Sequence, residues 1–164
     1  MTELPWQQVL AERTGRALEA RGLTLATAES CTGGLVAAAV TSVAGSSAWF
    51  ERGFVTYSNA AKQEALGVPP ETLERYGAVS EPVVLAMAAG ALRHSRAGVA
   101  LSVSGIAGPE GGTTDKPVGT VWIGWALESG YQWARCFHFP GDRAAVRAAS
   151  VGAALEGLLE GLDR

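Results

Sequence analysis

Several residue types that mark particular protein classes are scarce in this chain. It has only two cysteines, Cys31 and Cys136, so we expect neither a disulfide framework nor a cysteine-based metal cage. No apolar run approaches the roughly 18 residues that a membrane span needs. The first residues also lack the apolar segment of a signal peptide. We therefore expect a cytoplasmic protein with no membrane partner.

Positive charge is sparse as well. The 13 lysines and arginines form no basic run and the net charge is −3, so nothing in the charge pattern favours a nucleic-acid partner. The length of 164 residues and the 48% hydrophobic content are typical of one globular domain, which we expect to span residues 1–164. The five tryptophans fit either a core or the subunit interface of a homo-oligomer.

Turn residues divide the chain into alternating helices and strands. Helices are expected over residues 5–21, 30–42, 58–66, 70–76, 80–95 and 142–162. Strands are expected over residues 23–28, 50–57, 99–103, 118–127 and 131–139, the last two forming an antiparallel hairpin. This order predicts an α/β protein of three α/β/α layers with a mixed sheet, a C-terminal β-hairpin and a long C-terminal helix. It leaves the order of the strands open.

A polar turn at residues 27–34, with the sequence TAESCTGG, lies between the first strand and the second helix. The pattern predicts that Ser30 lies at the helix N-terminus, where free N–H groups and the helix dipole stabilise negative charge. Gly33 and Gly34 would let a ligand approach the backbone closely. Such a turn suits the nucleophile of an amide hydrolase or a phosphate site. The simpler interpretation is that Ser30 or Thr32 only caps the helix.

A serine nucleophile needs a base, and the two histidines are poor candidates. His94 falls late in an alanine-rich helix and His138 in the last strand, so no Ser-His-Asp triad is predicted. Lys62 can serve as the base if burial lowers its pKa, although an exposed helical lysine is the commoner case. Tyr57, at the end of the second strand, either orients a proton or only packs. Cys31 is the alternative nucleophile and ranks below Ser30.

A glycine-rich loop follows the third strand and begins near Ser104 and Gly105. It could cradle a phosphate, donate N–H groups to an oxyanion, or form a plain connection. It lacks the Gly-Lys-Ser/Thr ending of a Walker A loop. Arg143, at the start of the last helix, is suited to binding a phosphate or carboxylate in a fork geometry. No spacing of His, Cys, Asp or Glu indicates a metal site.

Seven segments together carry a resemblance to a known family. They are residues 27–34 (TAESCTGG), 45–50 (GSSAWF), 55–59 (VTYSN) with Lys62, 77–81 (GAVSE), 104–109 (SGIAGP), 116–121 (KPVGTV) and 139–143 (FPGDR). In this order and spacing they resemble the C-terminal domain of the CinA (competence/damage-inducible protein) family. The similarity covers residues 4–162, nearly the whole chain.

The resemblance implies hydrolysis of the carboxamide of nicotinamide mononucleotide, which gives nicotinate mononucleotide and ammonia in pyridine-nucleotide recycling. It implies Ser30 as the nucleophile, Lys62 as its base and Tyr57 as an aid to proton transfer. Ser104 would line the site and Arg143 would bind or orient the nucleotide. No metal or other cofactor is expected.

Two other classes stay open at this point. A non-catalytic nucleotide-binding module would use the same glycine loops and Arg143, with Ser30 as a phosphate-binding cap. A protein-interaction domain serving DNA uptake or repair would follow from the family's name, although the mildly acidic charge argues against direct DNA binding.

Overall fold

A five-stranded mixed sheet forms the centre of the protein. The structure is a computed structural model and describes residues 5–163. The strands are β1 (Leu25–Glu29), β2 (Phe50–Val55), β3 (Val99–Gly105), β4 (Thr120–Leu127) and β5 (Gln132–His138). Their order across the sheet is β2-β1-β3-β4-β5. The strands β1, β2 and β3 are parallel, whereas β4 and β5 run antiparallel as a hairpin.

Two helical layers cover the faces of this sheet. One layer contains α1 (Pro5–Ala20), α2 (Leu35–Thr41) and α6 (Arg143–Leu162), and the other contains α3 (Asn59–Leu66), α4 (Pro70–Tyr76) and α5 (Glu81–Arg93). A short 3-10 helix, Ser46–Ala48, precedes β2. Each layer has its own apolar core against the sheet. The α/β fold with a mixed sheet, a hairpin and a long C-terminal helix is therefore confirmed.

Local sequence signals explain most of the element boundaries. The carboxylate of Asp142 accepts a hydrogen bond from the Ala145 amide at 2.9 Å and caps α6. The Ser58 hydroxyl accepts one from the Ala61 amide at 3.0 Å and caps α3. Ser80 precedes α5 as expected but does not cap it through its side chain, because its hydroxyl donates to the Gly77 carbonyl at 2.7 Å.

Some of the tryptophans lie in the core, which is one of the two locations expected from the sequence. Trp125 is fully buried and its indole N–H donates to the Ala154 carbonyl of α6 at 2.9 Å, while Trp49 is 6% exposed. Trp6 is 43% exposed. No helix among residues 5–163 is both long and apolar enough to cross a bilayer.

The parallel strands bring three loops to one edge of the sheet. Because β1, β2 and β3 run in the same direction, the segments that follow Glu29, Val55 and Gly105 leave the sheet at a common edge. Ligand sites of open α/β sheets lie at such edges. The polar loops singled out in the sequence are therefore neighbours in the fold.

Candidate active site

The Ser30 turn continues β1 instead of opening a helix. The Ser30 amide donates to the Val103 carbonyl at 2.9 Å, which extends the β1–β3 pairing by one residue. Gly33 and Gly34 then adopt positive φ values of 58° and 110°, and α2 begins only at Leu35. A right-handed helix cannot contain this left-handed pair, so the prediction that Ser30 lies at the helix N-terminus is wrong.

Glu29 occupies the position expected for an anionic ligand at the start of α2. Its side chain is 1% exposed, and the carboxylate accepts hydrogen bonds from the amides of Val36 and Ala37 at 2.8 and 3.1 Å. It also accepts the Thr32 hydroxyl at 2.6 Å. The first N–H groups of the helix are therefore bound to the protein's own carboxylate. The Thr32 hydroxyl is engaged by the same carboxylate.

Lys62 and Ser30 form the centre of the site. Lys62 comes from α3 and is 1% exposed, and its Nζ lies 3.1 Å from the Ser30 Oγ. The same Nζ donates to the main-chain carbonyls of Thr56 and Tyr57, each at 3.0 Å. Among the described residues no carboxylate forms an ion pair with this amine. Burial without a counter-charge lowers the pKa of Lys62, and the nearby Cys31 opposes this only in part.

Cys31 lies beside this pair but has the wrong protonation state for a nucleophile. Burial raises the pKa of its thiol to about 11, although the amides of Cys31 and Gly105 act in the opposite direction. A thiol with that pKa is almost wholly protonated at neutral pH and is a weak nucleophile. Because α2 begins only at Leu35, Cys31 does not lie in the first turn of a helix, where the dipole would lower the pKa of its thiol.

Tyr57 contributes two separate groups to the site. Its carbonyl accepts from Lys62, whereas its phenol is turned toward α6, where Arg143 donates to the hydroxyl at 3.2 Å. Arg143 also donates to the Gly108 carbonyl at 2.9 Å. The residue is 62% exposed. The phenol and Arg143 thus join the loop after β2 to the loop after β3.

The glycine-rich loop forms one wall of an open cavity. A cavity of about 210 Å³ is lined by Cys31, Tyr57, Arg143 and most of the residues between 105 and 111. A second cavity of about 490 Å³ shares Ala107 and Arg143 with the first and is mainly apolar. Arg143 therefore forms part of the wall of both cavities.

Ser104 lies on β3, the strand next to the turn that carries Ser30. The last pair of the β1–β3 register is Glu29 with Val103, and Ser30 and Ser104 are the residues that directly follow this pair. The side chain is 1% exposed. Gly105 follows on the opposite face, at the cavity wall.

The model of one family, described as the CinA C-terminal domain, matches residues 7–162. The chain belongs to the CinA C-terminal domain family.

Curated relatives and a solved structure agree with this membership. The chain is 59% identical over 151 residues to the nicotinamide-nucleotide amidohydrolase PncC of Shigella flexneri, covering 91% of this chain and 90% of that protein. Over 149 residues it is also 59% identical to the protein of the same name from Escherichia coli strain K12, with the same coverage. The competence/damage inducible protein CihA of Agrobacterium tumefaciens superposes with a TM-score of 0.96 at 45% identity, covering 100% of this chain and 99% of that one.

The CinA fold brings most of the predicted site residues together. Ser30 and Lys62 are in contact, and Tyr57 and Arg143 join the cluster through their hydrogen bonds. Thr32 is buried beneath the turn, whereas Gly33 is exposed at its surface. His94 and His138 are exposed at the ends of α5 and β5, outside this hydrogen-bonded cluster.

Sequence reasoning missed two residues that hold the Ser30 turn. One is Glu29, which was seen only as part of the turn. The other is Arg147, whose guanidinium donates to the carbonyls of Cys31 and Thr32 at 3.1 and 3.4 Å. Arg147 lies four residues after Arg143 and so shares its helix face. That spacing is the one signal in the sequence that could have identified it.

Proposed function

We propose that this CinA-family chain is a nicotinamide-nucleotide amidohydrolase that converts nicotinamide mononucleotide to nicotinate mononucleotide and ammonia. Ser30 is the nucleophile and Lys62 is its general base. The curated relatives named as nicotinamide-nucleotide amidohydrolases support the substrate class, since each aligns with about nine-tenths of this chain. The cluster around Lys62 supports the mechanism.

The single observation that carries the mechanism is the set of partners of the Lys62 amine. A neutral amine has two N–H groups and one lone pair. The carbonyls of Thr56 and Tyr57 can only accept hydrogen bonds, so they take both N–H groups. In the neutral amine the lone pair is then left for the third partner, Ser30 Oγ, which lies 3.1 Å from Nζ and whose hydroxyl otherwise donates only a long bond of 3.5 Å to the Tyr57 carbonyl. This arrangement orients a base toward the proton that it must remove.

The reaction follows from this arrangement in two halves. Lys62 takes the Ser30 proton while Oγ attacks the carboxamide carbon, and the carbonyl oxygen becomes an oxyanion. The intermediate then collapses, Lys62 returns the proton to the amide nitrogen, and ammonia leaves. In the second half Lys62 takes a proton from water, which attacks the ester carbon, and then returns this proton to Ser30 Oγ as the C–O bond breaks and nicotinate mononucleotide leaves.

The rest of the nucleotide has a binding region beside this centre. Arg143 and the loop over residues 105–111 line the two cavities, and a guanidinium binds a phosphate well. Binding energy at a remote phosphate orients the amide for attack. We infer that Ser104 contacts the carboxamide, because Ser104 and Ser30 directly follow the last pair of the β1–β3 register.

The test is ammonia release from nicotinamide mononucleotide by the purified protein and four variants. We expect turnover by the wild type, and a fall in kcat/KM of at least about 1,000-fold in Ser30→Ala and Lys62→Met. Lys62→Arg should be as inactive as Lys62→Met, because a guanidinium keeps its proton. Cys31→Ala is the control and should stay within a few-fold of wild type.

Three results would contradict the proposal, provided that each variant melts cooperatively near the wild type. A wild type that binds the nucleotide without releasing ammonia would make the chain a binding module. Activity that survives Ser30→Ala but not Cys31→Ala would make Cys31 the nucleophile. Full activity in Lys62→Arg would show that Lys62 is not the base.

A further inference from the structure

The guanidinium of Arg147 binds the turn that carries Ser30. Arg147 lies on α6 and is half-buried, and its guanidinium donates from Nε to the Cys31 carbonyl at 3.1 Å and from Nη2 to the Thr32 carbonyl at 3.4 Å. The two carbonyls are consecutive and directly follow Ser30. A side chain 115 residues away in sequence therefore sets the orientation of both peptide planes.

Thr32 has one polar group without a partner in this arrangement. Its hydroxyl donates to Glu29 at 2.6 Å. Its carbonyl accepts from the Leu35 amide at 3.0 Å and from Arg147. Within residues 5–163 its amide N–H has no hydrogen-bond partner, as is also true of the Cys31 and Gly34 amides, whereas the amides of Ser30 and Gly33 are engaged. Of the three unpaired amides, only that of Thr32 belongs to a residue held by both Glu29 and Arg147. A buried amide is rarely left without a protein, water or ligand partner, so the Thr32 N–H is open to a bound molecule.

The direction of this free amide follows from peptide geometry. In a planar trans peptide the N–H points opposite to the C=O of the preceding residue. Because Arg147 draws the Cys31 carbonyl toward α6, the Thr32 N–H is directed away from α6. The cationic hydrogen bond to the Cys31 carbonyl also polarises that peptide and makes its N–H a stronger donor.

We propose that Arg147 is a positioning residue that presents the Thr32 N–H to the oxyanion formed when Ser30 attacks. This role rests on the amidohydrolase function proposed above. The Thr32 N–H takes the place of the N-terminal amides of α2 as the oxyanion donor, because Glu29 already binds those amides. Glu29 and Arg147 thus hold Thr32 by its hydroxyl and its carbonyl and leave its N–H for the reaction.

The experiment compares Arg147→Met and Arg147→Lys with wild type in ammonia release from nicotinamide mononucleotide. A misplaced oxyanion donor weakens only the transition state. We therefore expect kcat to fall about 10- to 100-fold in Arg147→Met, with KM within about threefold. Arg147→Lys should recover part of kcat, because an ammonium group can reach one of the two carbonyls. The pH profile should not move, since Lys62 is unchanged.

The matched control is Arg21→Met. Arg21 follows α1 and also donates to main-chain carbonyls, those of Ala17 and Leu162, but its contacts are with the C-terminal end of α6, where it also pairs with Asp163 at 2.7 Å. It should lose stability without losing kcat. If Arg147→Met does not fold, the test is whether Arg147→Lys lowers kcat while its KM stays close to that of the wild type.

Each contrary outcome has a distinct meaning. Wild-type kcat in the folded Arg147 variants, or an effect on KM alone, overturns the positioning role and leaves the proposed function intact. A loss of kcat shared equally by Arg21→Met makes Arg147 merely structural. A wild type that releases no ammonia overturns the proposed function and this role with it.

Discussion

At the scale of single residues, the main feature is a lysine held without a counter-charge. Lys62 is almost fully buried, and its neighbours are two carbonyls and a hydroxyl. Desolvation disfavours the charged amine, so its pKa is lowered from the usual 10.5. The amine is therefore neutral at a lower pH than that of an exposed lysine, as the proposed role of Lys62 as a base requires.

We therefore predict that kcat/KM rises with pH along a limb set by Lys62, with its midpoint below pH 10.5. The sign follows from the neutral amine being the active form, whose fraction grows as pH passes the lowered pKa. The measurement is the pH dependence of ammonia release at constant ionic strength. Cys31→Ala is the control and should keep a limb of the same slope. A rate that falls with rising pH would contradict the role of Lys62 as base.

Tyr57 shows how one residue can act through its backbone and its side chain in different places. The resemblance assigns its phenol to proton transfer, and that role stays a prediction. In the structure the phenol hydroxyl is hydrogen-bonded to Arg143, while the carbonyl contacts Lys62. Phenylalanine at this position would keep the carbonyl and the ring and lose only the bond to Arg143.

For Tyr57→Phe we expect kcat within about fivefold of wild type and KM raised a few-fold, because Arg143 loses one of its two anchors. Steady-state kinetics with nicotinamide mononucleotide measure both constants. A fall in kcat of about 100-fold or more with unchanged KM would instead support the proton-transfer role, since general acid–base groups contribute on that order.

At the scale of elements, the decisive contact is between β1 and α2. The last residue of β1, Glu29, reaches over the turn and binds the first amides of α2. A buried carboxylate with several N–H and O–H donors is stabilising, and it complements the positive end of the helix dipole. These hydrogen bonds join the residue before the turn to the helix after it, and they do so without a ligand.

Glu29→Gln should lower the free energy of unfolding by about 2–3 kcal/mol, because the charge-assisted bonds weaken and one acceptor is lost. Urea unfolding followed by circular dichroism measures this change. Glu64→Gln is a suitable control, since Glu64 is exposed on α3 and should shift stability by less than about 0.5 kcal/mol. A change of that small size at Glu29 would show that the carboxylate does not hold the turn.

At the scale of the whole molecule, α6 joins the core to the site. Its C-terminal half packs closely on the hairpin, where Gly157 faces Trp125 and Gly161 faces Trp133. Its N-terminal half carries the two arginines that bind the site loops. The docking of one long helix on the sheet therefore determines where these guanidinium groups lie.

Gly157→Ala should destabilise the protein by about 2–3 kcal/mol, because the added Cβ would collide with the indole of Trp125. The sign is opposite to the gain of about 1 kcal/mol that alanine brings to an unhindered helix position. Thermal or urea unfolding measures the effect. In the double variant with Trp125→Phe, whose smaller ring leaves room for a methyl group, the cost of Gly157→Ala should shrink. If the costs of the two substitutions simply add in the double variant, the clash with the Trp125 indole is not the cause of the destabilisation.

Much of the fold was predictable because it depends on neighbours in sequence. Ser58 and Asp142 were expected at helix starts and cap α3 and α6, and the apolar run 99–103 lies within the buried strand β3. The prediction near Ser30 was wrong because a serine after a strand is typical of a helix cap. The positive φ values of Gly33 and Gly34 delay the helix by several residues.

The sequence by itself determined the alternation of elements, the α/β class and the candidate pair of Ser30 and Lys62, since hydrophobic period, caps and motifs act over a few residues. Only the tertiary structure decided the strand order, the contact between Lys62 and Ser30, and the hydrogen bonds from Arg147 to the turn that carries Ser30. These depend on how parallel strands and α6 bring distant segments together. The burial that lowers the pKa of Lys62 is likewise a property of packing, because desolvation exists only once the layers have closed around the amine.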